Sequence, residues 1–401
     1  MQATTVAIPH QGIWAEARQV IRTLQDAGYE TYIAGGAVRD MLLGRPVTDV
    51  DVATAARPDV VEQLFPRTIN VGKSFGVIIV PTTDGGQVEV ATFRSDECYI
   101  DGRRPTAVRF ASAREDVERR DFTINALLVN PTDGLVQDHV GGLADIHARR
   151  LRAVGDAAAR MREDRLRVLR GLRFAAHLDL TWEAMTWAAV VSTPVTGLSA
   201  ERIWEEWRKA LAPGGSAAVT WARYMVMSNH LAECFPTLAG CDAWPGLAAL
   251  TVDDVACVRL AVWLGPGSLP ETWLASQPLP RRVINDALWL LSCRRNHTWA
   301  ADINAAPAQR LLRCEPRMGL LIRFLQVSAD QTPSHAIMVA YEKAIAQGPF
   351  QPWVRATDLQ ALGIAPGPIL GRVLRAVEDA QLTGLVTDRV AALAYVKTIE
   401  K

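Results

Sequence analysis

Apolar side chains between Ala15 and Ala27 recur every three to four positions, the spacing of a helix with one buried face. Tyr32-Ile33-Ala34 follows as a short apolar run of strand type. Gly35-Gly36 ends it ahead of a short helical stretch, Ala37 to Leu43. From Val47 to Ala53 apolar and polar positions alternate, as on a strand with one buried face. Side chains on a strand alternate faces, so Asp49 and Asp51 point one way while Val50 and Val52 point into a core. Pro58 to Phe65 predicts a short helix opened by its proline. Thr68 to Gly72, Val77 to Pro81 and Val88 to Phe93 predict strands, with glycine-rich turns between them. Ser95 to Ala107 is polar and reads as a mobile loop placed to reach back over the acidic pair. From about Ala148 strand signals largely cease and helical periodicity runs to near the C-terminus. Glu163 to Arg173 predicts one helix, and Ser199 caps the start of another. Leu362 to Gly371 reads as a helix connector, either simply rigid or a source of N–H donors for an RNA phosphate.

Two carboxylates a strand step apart repel each other unless a cation sits between them. An all-oxygen pair suits Mg²⁺, which keeps its waters and borrows phosphate oxygens. Asp49 and Asp51 are therefore candidate metal ligands, and Glu89, on the alternating stretch Gln87 to Ala91, completes an acidic trio. An isolated acidic-x-acidic strand is more often a solvated edge, but the paired glycines upstream shift that balance. Gly36 permits close backbone approach of an anion at a helix start, and Arg39 adds a charge-assisted bond to phosphate. Arg120 and Asp121 offer a cation to a triphosphate and an acceptor to a ribose hydroxyl, and Asp121 stands where a helix N-cap would. An ordinary capped helix accounts for the same two residues. Asp164, Arg167 and Arg170, with Arg173 beyond, recur at i, i+3 spacing beside the apolar stripe Leu166, Leu169 and Leu172. A salt-bridged surface helix is the plain account, yet three arginines over-supply charge for one aspartate, which points to an anionic partner. A carboxylate beside a guanidinium also presents an acceptor edge and a donor edge, as a nucleobase does. The combination is that of a metal and triphosphate site for two-metal nucleotidyl transfer.

The chain has 401 residues, two to three times the usual domain size of about 100–150, so two or more domains are expected. Formal net charge is zero, so any RNA surface must come from local segregation. His147 to Arg173 supplies one such segment, with nine arginines against three acidic residues. The cysteines and histidines show no metal-ligand spacing, and the six cysteines read as small buried hydrophobes of a reducing compartment. Val71-Gly72-Lys73-Ser74 resembles the end of a P-loop, but Arg67 stands where its first glycine is required. The tryptophans, nearly all after Thr181, read as helix packing. Neither a secretory signal nor a membrane-spanning stretch is visible, and a soluble cytoplasmic protein is expected.

Three linked motifs resemble a known family. They are Gly35-Gly36-x-Val-Arg39-Asp40 with Asp49-x-Asp51, then Arg119-Arg120-Asp121-Phe-Thr-Ile-Asn125-Ala, then Glu163-Asp164-x-x-Arg167. Their order and spacing are similar to those of the bacterial, class II tRNA nucleotidyltransferases and poly(A) polymerases of the DNA polymerase β-like superfamily. The resemblance implies an α+β fold, with a polymerase-β-like head carrying a mixed sheet, followed by all-helical neck, body and tail. It implies a catalytic head at 1–147, a base-selecting neck at 148–215 and a tRNA-binding body and tail at 216–401. It also implies Mg²⁺ on Asp49 and Asp51, nucleotide contacts from Gly36, Arg39, Arg120 and Asp121, and base pairing by Asp164 and Arg167. Glu163 would orient that pair, with Arg170 and Arg173 following. The stretch Asp96 to Pro105, with Tyr99, Asp101, Arg103 and Arg104, resembles the flexible loop of enzymes that add the terminal A, which CC-only enzymes lack. Gly72-Lys73-Ser74-Phe75-Gly76 lacks the double basic pair and the arginine after phenylalanine that mark the poly(A) polymerase branch. The segment Leu359 to Leu382 resembles a tail element of some of these bacterial enzymes, and no His-Asp phosphohydrolase motif is visible. The expected activity is template-independent addition of CCA, or its last A, to tRNA from CTP and ATP. The alternatives are a poly(A) polymerase, or a non-catalytic RNA-binding protein on the same fold.

Overall fold

The protein is described from a computed structural model covering residues 4–72, 76–82, 85–99, 105–267, 271–295, 302–328 and 335–399. Its contacts divide it into two units, residues 1–213 with 220–242, and residues 214–219 with 243–401. The first unit is a mixed sheet with helices, and the second is helical.

In the first unit, helix α1 (Ile13–Asp26) buries Ala17, Val20, Ile21 and Leu24 on one stripe. Strand β1 (Thr31–Ala34) is buried along its whole length. At its end Gly35 takes φ 70°, a left-handed conformation that L side chains rarely adopt, and the chain turns directly into α2 (Gly36–Leu42). Strand β2 (Asp51–Thr54) runs back antiparallel to β1, with Ile33 opposite Val52 and Ala34 opposite Asp51. Helix α3 (Pro58–Leu64) precedes β3 (Ile69–Gly72), β4 (Val77–Pro81) and β5 (Gln87–Thr92). Next come β6 (Arg94–Tyr99), β7 (Pro105–Phe110), α4 (Ala113–Glu118), β8 (Leu127–Val129) and β9 (Val136–Asp138). The main sheet has the order β3-β4-β5-β2-β1-β8-β9. Only β2 and β5 pair in parallel in it, and their register sets Asp51 beside Glu89 and Val52 beside Val90. Val50, Val52, Val88 and Val90 are buried, as the alternation requires.

Helices α5 (Gly142–His147), α6 (Ala157–Glu163), α7 (Leu166–Leu178), α8 (Ala184–Ser192) and α9 (Ala200–Leu211) follow in the first unit. Gly171 lets α7 approach the rest of the unit. A Cβ there would stand 2.8 Å from the Phe122 ring and 3.1 Å from Trp182.

Four local expectations need correction. The stretch from Ser95 to Ala107 is not a loop throughout: β6 and β7 form an antiparallel ribbon, with Arg94 opposite Phe110 and Asp96 opposite Val108. The polar run Arg94 to Glu97 and the glycine and arginines near position 102 gave the stretch the look of a loop in the sequence. Residues 100–104, with Asp101, Arg103 and Arg104, lie outside the described residues, as do Lys73, Ser74 and Phe75. Glu163 to Arg173 is not one helix. Asp164 is extended (φ −140°, ψ 105°) between α6 and α7, and its Oδ1 accepts the Leu166 N–H at 3.0 Å. That local side-chain bond competes with the helical one. Asp121 is not an N-cap, because a 3₁₀ turn at Thr123–Asn125 follows and its first flanking residue is Phe122. Ser199 does flank α9, but its side chain makes no capping bond.

The second unit packs successive helices. Ala256–Leu264 buries nearly every side chain, including Trp263, whose ring stacks on Trp244 at 4.9 Å. Arg323 grips Asp254, and Arg310 bridges Glu378 and Asp379. The last three helices, Ala356–Ala361, Pro368–Leu382 and Arg389–Ile399, share a core of Leu359, Val373, Val377, Ala392 and Val396. Only Leu362 to Gly367 of the glycine/proline stretch connects the first two of these, with Gly363 at φ 95°; Pro368 to Gly371, expected in the connector, already form the first turn of the next helix. No described helix is long and apolar enough to cross a membrane.

Candidate active site

A cleft of about 980 Å³ opens in the first unit. Asp49, Asp51, Glu89, Gly36, Arg39, Arg120, Asp121, Asp164, Arg167 and Arg170 all line it. Arg173 does not. Its Nε donates to Glu206 at 2.7 Å and its guanidinium lies over the Phe174 ring at 4.4 Å.

Asp51 opens β2 and Glu89 sits beside it on β5, so parallel pairing rather than sequence proximity brings these two carboxylates together. Asp49 stands two residues ahead of β2, exposed, so the acidic pair spans the strand's entry rather than its interior. Desolvation, then Glu89 and Asp49, push the Asp51 carboxyl up to about 6, and Arg120 offsets part of this. Glu89 is raised as well, by burial and then by Asp49. Each carboxylate penalises the ionised form of the other. A divalent cation would relieve that penalty, and hard oxygen donors facing an arginine-lined cleft fit Mg²⁺. Among the described residues no three His, Cys, Asp or Glu side chains close into a metal cage, so phosphate and water would supply the remaining ligands.

The same cleft is lined by cations. Arg39, on α2, donates from Nε and Nη2 to Asp40 and from Nη1 to Asn125 Oδ1 at 2.7 Å. Arg120 crosses Gly35, where a Cβ would stand 3.0 Å from its Nη1. It is held by Asp116, whose Oδ2 accepts from Arg120 while Oδ1 accepts from Arg119 and from the Arg94 N–H. Asp116 is only 2% exposed. Burial by itself raises its carboxyl, but the two arginines outweigh that and hold it below the usual range. Asp121 is likewise held at about 2: burial opposes, and Arg170, Asn125 and the Phe122 N–H prevail.

The break between α6 and α7 presents the third group. Arg202, on α9, binds both Asp164 oxygens from Nη2 at 3.0 and 2.9 Å. Arg167 donates to Glu163 at 2.6 Å and to the carbonyls of Arg160 and Arg119, which fixes its plane. Glu163 thus orients Arg167, while Arg202 rather than Glu163 orients Asp164. The Phe174 ring, also in the lining, has Arg39 and Arg170 each 5.2 Å from its centroid.

Asp116, Phe174 and Arg202 are lining or supporting residues that sequence reasoning did not single out, and Asn125 entered it only as a motif position. Asp116 was legible, being i, i+3 and i, i+4 to the two arginines. Arg202 was not, because its partner lies 38 residues away.

Residues 31–152 match a family model described as the poly A polymerase head domain. A CCA-adding enzyme of Streptococcus pyogenes is 40% identical over 252 residues, 62% of this chain and 58% of that protein. One from Lactiplantibacillus plantarum is 33% identical over 400 residues, 94% of this chain and 94% of that protein. The crystal structure of the Bacillus stearothermophilus CCA-adding enzyme in complex with CTP matches with a TM-score of 0.80 at 28% identity, over 97% of this chain and 99% of that one. A head sheet ending in a carboxylate cleft, and relatives matched along nearly the whole chain, agree: the protein belongs to the CCA-adding enzymes, a family of tRNA nucleotidyltransferases.

Proposed function

We propose that this enzyme adds CCA, or its terminal A, to tRNA 3′ ends from CTP and ATP without a nucleic-acid template, by two-metal nucleotidyl transfer. The observation that carries the reading is the meeting, in one cleft, of the Asp49/Asp51/Glu89 carboxylates with the Asp164/Arg167 pair at the helix break. The CTP complex of the Bacillus stearothermophilus relative supports the choice of nucleotide.

Asp49 and Asp51, with Glu89 completing the acidic surface, would hold Mg²⁺, which would supply Lewis-acid activation of a hydroxyl and neutralise charge on the phosphates. The N–H groups at the start of α2, around Gly36, face the triphosphate, and Arg39 and Arg120 bind its oxygens. Asp121 accepts from the ribose. Asp164 and Arg167 read the base. Asp164 Oδ1 already accepts from the Leu166 N–H and from Arg202, whereas Oδ2 accepts only from Arg202 and keeps an acceptor site for the base. Arg167 has three of its five N–H donors committed to Glu163 and two carbonyls, which leaves donors for the base. Arg170, further along α7, holds Asp121, while Arg173 is paired with Glu206 outside the cleft. The head is residues 1–147, the neck 148–215, and a body and tail, 216–401, grip the tRNA.

Three tRNA transcripts test the reading, ending before the first C, after CC, and after CCA. With CTP and ATP together a CCA-adding enzyme extends the first by three nucleotides, the second by one and the third not at all. An A-adding enzyme extends only the second. Long A tails on all three would make the protein a poly(A) polymerase, and no extension would make it a binding protein.

A further inference from the structure

Helix α2 ends in a Schellman turn. Gly44 takes φ 66° and its N–H donates to the Met41 carbonyl at 3.1 Å, while the Arg45 N–H reaches back to the Asp40 carbonyl at 2.8 Å. Pro46 follows and disfavours helical backbone at Arg45. The main chain at Arg45 is thus constrained from both sides. Its side chain is exposed, and Nη1 donates to the His177 carbonyl, in the last turn of α7, at 3.3 Å. A helix C-terminus attracts a cation, so this contact holds the guanidinium without neutralising it. It uses one of five N–H donors. Arg39, Arg120, Arg167 and Arg170, in the cleft, are each paired with a carboxylate. Among the described residues Arg45 makes no ion pair.

Arg45 stands at the rim of the cleft. His177 comes three residues after Phe174, which lines it, or about 4.5 Å further along the helix axis. Arg45 precedes Asp49 by four residues, a span of at most about 14 Å. In-line displacement sets the attacking hydroxyl and the departing pyrophosphate on opposite sides of the reacting phosphorus. With the triphosphate at the start of α2, the RNA strand must enter elsewhere, and Arg45 follows the other end of that helix, about 10 Å away.

We infer that Arg45 binds the phosphate backbone of the tRNA 3′ strand, holding the linkages just behind the terminal hydroxyl as the strand reaches Asp49. The inference rests on the nucleotide-addition reading and supplies the primer contact that reading lacks. Capping α7 alone needs only a hydrogen-bond donor, whereas holding a phosphate draws on the charge.

The test is equilibrium binding of a tRNA lacking CCA to wild type, R45Q and R45K between about 50 and 200 mM KCl. KM for CTP at saturating tRNA and thermal melting are measured alongside. R45Q keeps a donor for the His177 carbonyl and drops the charge, and R45K keeps the charge. R45Q should bind about tenfold more weakly at low salt, and its slope of log affinity against log salt should be shallower by about one, because one phosphate is no longer neutralised. R45K should keep the wild-type slope, and KM for CTP should not change in either. A tRNA carrying an uncharged methylphosphonate at one of its last linkages should weaken wild type and leave R45Q where it was. Wild-type affinity and slope in folded R45Q would overturn the inference, as would a raised KM for CTP with RNA binding intact, which would put Arg45 on the triphosphate. If R45Q does not fold, R45A carries the same readouts. Binding is read without chemistry, so a wild type that binds tRNA and extends none would sink the functional reading, while this contact would still stand or fall on the variants.

Discussion

At the residue scale the decisive feature is that like charges are crowded where no protein cation fully answers them. Asp51 sits beside Glu89 and is pushed up to about 6, first by burial and then by its acidic neighbours. Its folded-state value lies above its unfolded one, so the metal-free protein is more stable with Asp51 protonated, and that advantage is lost as pH rises through about 6. The difference corresponds to about 3 kcal/mol. Melting of the metal-free protein should therefore move to higher temperature as pH is lowered from 7 to 5, and Mg²⁺ should reduce that dependence. A flat profile without metal would remove the carboxylate crowding from the account. Asp116 shows the opposite design, a buried carboxylate fully answered by Arg119 and Arg120. Asp116→Ala leaves both cations short of a partner, at a cost of about 3–5 kcal/mol by the measure of other broken buried pairs. Because Arg120 loses its anchor, the KM for both nucleotides should rise in the same variant, as steady-state assays below its melting temperature will show.

At the scale of elements, β2, β4 and β5 were readable because they alternate, whereas β8, short and buried throughout, and β9, equally short, were not predicted. Val50 and Val52, and Val88 and Val90, announced their buried face and left Asp51 and Glu89 on the other. The glycine turn was readable because Gly35-Gly36 has few other uses between a strand and a helix. What could not be read was partnership across the chain. The β6–β7 ribbon is made by pairing across a polar stretch that reads as a loop, and the break at Asp164 carries a carboxylate held by Arg202 from another helix. The arginine surplus around α6 and α7 was read as a sign of an anionic partner. Much of it is spent internally: Arg150 and Arg152 pair with Asp145, Arg160 with Glu163, and Arg173 with Glu206. Two predictions belong here. Gly171→Ala forces α7 away from Phe122 and should cost about 1–3 kcal/mol, the usual cost of overpacking, with a matching drop in the denaturation midpoint. Asp164→Ala should blur the choice between C and A in competition assays while Mg²⁺ affinity stays at the wild-type value. Unchanged base choice would remove its assigned role.

At the scale of the whole molecule, the first unit holds every residue assigned to metal, triphosphate and base. Net charge is zero, so attraction for RNA must be local rather than global. The central claim is that an acidic pair at the entry of β2 drives transfer to tRNA. The most direct measurement is single-turnover incorporation of labelled CTP into a tRNA lacking CCA, by wild type and by Asp51→Ala, at saturating Mg²⁺. The account predicts that the variant binds tRNA normally and loses at least about a hundredfold in rate, the scale of removing one transition-state charge stabiliser. Incorporation by Asp51→Ala at the wild-type rate would contradict it.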